Sequence, residues 1–154
     1  MTRAILLVDH GSRRPDANEA LECVARMVQH QAGDAVLVRF AHMELAEPDL
    51  PAALEACVAA GAMEVVVQPY MLSPGRHATE DIPRITREAA ARHPSVRVQI
   101  GEPLGVHPLL GNLILSLAGV KPVRNAARTD AEAGSGCTLD PKTCREPWCG
   151  PGVR

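Results

Sequence analysis

Four short segments of this chain carry side chains able to do acid–base or metal chemistry. "DHGSRR" places His10 just before Ser12, Arg13 and Arg14, "HMEL" brings Glu44, "SPGRH" brings Arg76 and His77, and "GEP" brings Glu102. Neutral imidazole suits iron, cobalt, nickel and zinc, and a carboxylate offsets the charge of such a divalent ion. The same imidazoles titrate near neutrality and serve as general bases. Two histidines and a carboxylate on one patch can therefore both hold a metal and take up protons. Arg13, Arg14 and Arg76, with a helix N-terminus beside Ser12, suit a ligand bearing carboxylates or phosphates.

These residues meet only if the chain folds so that their loops converge. Four apolar runs read as strands: "AILLVD" (4–9), "AVLVRFA" (35–41), "EVVVQPYML" (64–72) and "VRVQIG" (96–101). Their nearly continuous apolar character is that of parallel strands buried on both faces. Helical patterns separate them at 15–31, with Leu21, Val24 and Val28 on one face, at 49–60, with Leu50, Leu54 and Val58, and at 79–92; a fourth follows at 107–118. Gly33, Gly61 and His93-Pro94 are the expected stops of the first three. Alternation of this kind specifies βαβ units, hence an α/β domain with a four-stranded parallel sheet flanked by helices. Ligands of such sheets bind beyond the carboxyl ends of the strands, where His10, Glu44, Arg76, His77 and Glu102 all fall. The α/β unit is expected to occupy 1–120, followed by an irregular Cys/Pro/Gly-containing C-terminal tail over 121–154.

Composition removes several classes of function. With 154 residues, 46% of them hydrophobic, the chain suits one ordinary domain. One Trp, one Tyr and one Phe leave no aromatic platform for single-stranded nucleic acid. A net charge of −2, with the arginines scattered, argues against nucleic acid as a partner. No run is long and apolar enough for a membrane span, and the N-terminus is interrupted too soon for a signal peptide, so a cytoplasmic location is the expectation. Neither a GxxxxGK[ST] loop nor a GxGxxG fingerprint occurs, so no organic cofactor is expected.

The spaced set "LLVDHGSRRPDAN", "ELAEPDL", "VVVQPYMLSPGRHATEDIP" and "GEPLGVHPLL", over about residues 3–118, resembles the short sirohydrochlorin chelatases, the CbiX and SirB-type members of the class II chelatase family. The resemblance implies a flavodoxin-like fold and a homodimer whose two chains correspond to the fused halves of longer chelatases. It implies insertion of a divalent metal, cobalt, iron or nickel, into sirohydrochlorin, the metal being substrate. By the same resemblance His10 and His77 are metal ligands and proton acceptors assisted by Glu44, and Ser12, Arg13, Arg14 and Arg76 face the carboxylate arms of the macrocycle.

Blander readings stand beside these. His10 can be a turn residue, His77 a helix-entry residue and Glu44 a solvated carboxylate. His42, where the family pattern is more often aliphatic, reads as a pocket-wall residue before an extra ligand. His107 either caps a helix or touches substrate, while His30 and His93 read as surface residues. Cys23 and Cys57 read as small buried hydrophobes. Cys137, Cys144 and Cys149 form C-x₆-C-x₄-C, which lacks the C-x₂-C pairs of structural zinc sites; accessory metal or redox chemistry and incidental cysteines both remain open. Two other functions fit part of the pattern. One is a non-catalytic tetrapyrrole or metal carrier. The other is a histidine-type phosphatase, against which Asp9 argues, since that chemistry wants an arginine before the nucleophile.

Overall fold

β1 (Thr2–Asp9) runs through a fully parallel four-stranded sheet. β2 (Val36–His42) pairs with one side of it and β3 (Ala62–Pro69) with the other, and β4 (Arg97–Ile100) joins at β3, giving the order β2-β1-β3-β4. The computed structural model describes residues 2–121. The register sets Asp9 opposite His42 and Val8 opposite Pro69, so three strands end at one level.

The apolar continuity of β1 has a direct cause. Alternate side chains of a strand face opposite sides of the sheet, and both sides are covered here. Ala4, Leu6 and Val8 are fully buried against α2 (Leu50–Ala59) and α3 (Ile82–Ala90), with Leu54 and Ile82 among their partners. Ile5 and Leu7 pack on the other side against Leu21, Ala25, Val24 and Val28 of α1 (Pro15–Ala32). The expected apolar faces of α1 and α2 are therefore the ones buried.

Boundaries follow local chemistry. Asp49 caps α2, its carboxylate accepting from the Ala52 amide at 2.8 Å. Gly33 ends α1 with φ +66, and Gly61, with φ +89, follows α2. The third helical segment departs from expectation. It begins as one π-helical turn over His77–Asp81 before continuing as α3, and it ends at Ala90, ahead of His93-Pro94. β3 also ends earlier than the apolar run, at Pro69, which releases Tyr70–Leu72 into the loop carrying His77.

Contacts divide the chain into two units, Met1–Pro103 and Leu104–Arg154. The sheet and α1 to α3 lie in the first. The second contains α4 (Pro108–Leu117), whose N-cap is His107; its Nδ1 accepts from the Leu109 amide at 3.1 Å, so His107 does cap this helix. Cys137, Cys144 and Cys149 lie outside the described residues.

Candidate metal-transfer site

His10 leaves β1 at its carboxyl end, and His77 opens the π turn after β3. Because β1 and β3 are neighbours in register, the two loops share one rim. There the imidazoles stand edge to face, with ring centroids 4.7 Å apart and an interplanar angle of 87°. They line an open cavity of about 210 Å³ together with Tyr70, Met71, Leu72, Ser73, Gly75 and Ala78.

Each histidine is held from behind. The Nδ1 of His77 lies 2.8 Å from Asp81 Oδ2, one helical turn on. An ionised carboxylate only accepts, so Nδ1 carries the proton and Nε2 is left with a free lone pair. This is the arrangement by which outer-shell carboxylates orient metal-binding imidazoles. His10 is fixed through its backbone. The Glu44 amide donates to the His10 carbonyl at 3.1 Å and the Met43 amide to the Asp9 carbonyl at 2.9 Å, prolonging the β1–β2 pairing beyond the strands. Asp9 Oδ1 accepts from the Gly11 amide at 2.9 Å, closing a turn with His10 at its centre.

Gly11 shows how tightly the two loops meet. Its φ is +78, and a Cβ there would stand 1.9 Å from the Glu44 carbonyl oxygen. Only glycine fits. "HG" and "ELAEP" are thus two sides of one contact. Beyond it, Asn18 of α1 clamps the turn from below: its Oδ1 accepts from the Ser12 amide at 2.9 Å and its Nδ2 donates to the Ser12 carbonyl at 2.8 Å.

The CbiX family model matches residues 4–118. The chain belongs to the CbiX family. It is 44% identical over 110 residues to the chloroplastic sirohydrochlorin ferrochelatase of Arabidopsis thaliana, covering 71% of this chain and 48% of that protein. SirB from Bacillus subtilis, solved with Fe3+, superposes with a TM-score of 0.69 at 31% identity, over 79% of this chain and 49% of that one. A CbiX protein from Marinobacter aquaeolei VT8 superposes with a TM-score of 0.64 at 30% identity, over 76% of this chain and 94% of that one. The chain spans about half the length of the curated relatives it matches.

Within this CbiX-family site, the expected residues do not all converge. His10 and His77 do. Glu44 contributes its backbone to the His10 turn and its side chain is exposed. Among the described residues no three His, Cys, Asp or Glu side chains stand together as a metal-binding set, so the expected triad of His10, His77 and Glu44 is not assembled in this structure. Glu102 faces solvent, and its carbonyl is held by Gln68 Nε2 at 2.6 Å.

The anion-binding residues are partly engaged with neighbours. Arg14 pairs with Asp16 at 2.7 Å, and Arg76 with Glu80 at 3.4 Å. Both pairs are solvent-exposed, and such pairs are worth about 0–1 kcal/mol, so an incoming carboxylate displaces them at little cost. Arg13 is exposed and makes no ion pair with the described residues. The Ser12 amide is taken by Asn18 and the Arg14 amide by Ser12 Oγ at 3.0 Å. The amides the sequence offered to an anion are therefore engaged within the turn, and the guanidinium groups are the cationic groups on this surface.

Two other expectations are corrected. His42 does not line the cavity; it is 1% exposed, with Nδ1 2.6 Å from Asp9 Oδ1. The strand pairing that sets it opposite Asp9 is a long-range feature that spacing along the chain does not reveal. Cys23 is exposed, on the solvent side of α1, whereas Cys57 is buried as expected. Asn18 and Asp81 were not singled out from the sequence; the signal for Asp81 is its i+4 spacing from His77 on a helix.

Proposed function

We propose that this chain is a sirohydrochlorin chelatase that inserts a divalent metal, cobalt, iron or nickel, into the macrocycle. The observation that carries the reading is the His10–His77 pair, 4.7 Å apart on an open rim with His77 oriented by Asp81. Two imidazoles lining one cavity hold a soft-enough divalent ion without trapping it, since most of its coordination sphere stays open to water and substrate. Insertion exchanges the ion for two pyrrole N–H protons. A lone pair bound to metal cannot accept a proton, so each histidine is a ligand first and a base second. As the ion passes to the ring nitrogens, the freed imidazole Nε2 takes a pyrrole proton and hands it to water.

Glu44, at the lip of the same turn, offsets the charge of the arriving ion, and Arg13, Arg14 and Arg76, with Ser12, hold the carboxylate arms. Tyr70 and Leu72, both exposed beside the histidines, give the macrocycle face an apolar seat. A tetrapyrrole is far larger than a cavity of about 210 Å³, so a second copy of the chain supplies the opposite wall. Leu109, Leu113, Ile114 and Leu117 of α4 are exposed, an apolar surface that fits a homodimer. In this proposal residues 1–120 form the catalytic domain, the tail expected over 121–154 lying almost wholly outside the described residues, and the protein works in the cytoplasm; among the described residues no helix is long and apolar enough to cross a membrane.

The test is the absorption change of sirohydrochlorin on metal insertion, followed with cobalt, iron and nickel in parallel. Acceleration above the uncatalysed rate with at least one metal supports the proposal. Tight macrocycle binding with no acceleration by any of the three overturns it in favour of a carrier.

A further inference from the structure

We infer that His42 is a positioning residue for metal transfer, acting through Asp9 on the backbone of His10; this rests on the role just proposed for His10. His42 ends β2 beside Asp9, and the two are set side by side by the strand register. Its ring is buried, packed edge-on to Phe40 at 5.8 Å and away from the cavity, so it does not itself meet metal or substrate. Its one polar contact toward the site is the 2.6 Å hydrogen bond to Asp9 Oδ1.

That oxygen is the one that accepts from the Gly11 amide. One carboxylate oxygen thus receives two donors, one from each flank of His10. The Gly11 bond closes the turn, and the His42 bond fixes the rotamer of the carboxylate that closes it. Asp9 is acceptor-only when ionised, so Nδ1 of His42 is the donor. Without that donor the Asp9 side chain is free to rotate outward. It then both opens the turn beneath His10 and brings a carboxylate to a rim where a divalent ion is to be held and released. His42 prevents both. A buried polar side chain in a strand whose other buried and half-buried residues are Val, Leu, Phe and Ala is explained by this donor bond and not by packing volume.

Removing an outer-shell partner of a metal-binding group commonly lowers affinity or activity about 10–100-fold. His42→Phe keeps the ring and the burial but removes the donor, and it is expected to lower kcat for insertion at least about tenfold while the KM for sirohydrochlorin stays within about twofold. His42→Asn, whose amide nitrogen reaches the position of Nδ1, is expected to restore most of kcat. Asp9→Ala, at a partly exposed position, removes the acceptor through which His42 acts together with the Gly11 bond; it is expected to show at least the same loss, and the double variant with His42→Phe no more loss than Asp9→Ala alone. Equal kcat in His42→Phe and the native chain overturns the inference, as does equal loss in His42→Phe and His42→Asn, which would make the role one of packing alone. Independent, multiplying losses in the double variant overturn it too. His10→Ala run alongside separates the two levels: full activity there removes the role proposed for His10, on which this inference rests, whereas loss there with an unaffected His42→Phe removes only this inference.

Discussion

His77 illustrates how one carboxylate can orient a histidine. The Asp81 contact at 2.8 Å makes Nδ1 the donor and holds the ring in place, which in the proposed mechanism leaves Nε2 for the metal. Asp81→Asn is therefore expected to slow insertion about 10–100-fold with sirohydrochlorin binding little changed, as read from separate titrations of macrocycle binding and of turnover. A different residue shows chemistry suppressed. Burial, only partly opposed by Arg39, pushes the Cys57 thiol up from 9.0 to about 11. The unfolded chain loses this proton above about pH 9 while the folded chain keeps it, so the stabilisation, complete below pH 9, is lost as pH rises through about 11. At pH 8 a thiol reagent mapped by mass spectrometry is expected to modify Cys23 in the folded chain and Cys57 only after unfolding. At this scale the sequence named the two histidines that the fold brings together, because their residue types and the surrounding motifs marked them out. It missed the second use of Asp9 and the burial of His42, because both depend on a neighbour 33 positions away.

At the scale of elements, the site is a contact between loops more than a property of any one strand. The four strands and their helices were legible from apolar runs and helical spacing, since a strand buried on both faces must be apolar throughout. The π turn at His77 was not. "HATEDIP" has an ordinary helical composition, and nothing in its spacing distinguishes a π-helical opening turn from a plain α start. The contact between "HG" and "ELAEP" was equally hidden, although each segment was recognised. That contact makes a sharp prediction. Gly11→Ala must move the Glu44 carbonyl and place a Cβ at φ +78, and it is expected to cost at least about 2 kcal/mol, read as a lower urea midpoint with an unchanged slope. It is also expected to impair metal transfer more than macrocycle binding, because it shifts His10 and leaves the arginines in place.

For the whole molecule, the fold places the two histidines on an open rim, and the account assigns the remaining wall to a second copy. Sedimentation equilibrium is expected to give twice the chain mass at micromolar concentration; a monomer that still inserts metal at the full rate contradicts the shared wall. The division of labour between the dyad and the arginines gives the most direct measurement. The rate of metal insertion into sirohydrochlorin is to be compared between the native chain and the His10→Ala, His77→Ala double variant, at saturating macrocycle and with each of cobalt, iron and nickel. The account predicts that the double variant still binds sirohydrochlorin but falls to the uncatalysed rate, a loss of about 10²-fold or more. An insertion rate in the double variant equal to that of the native chain would contradict it.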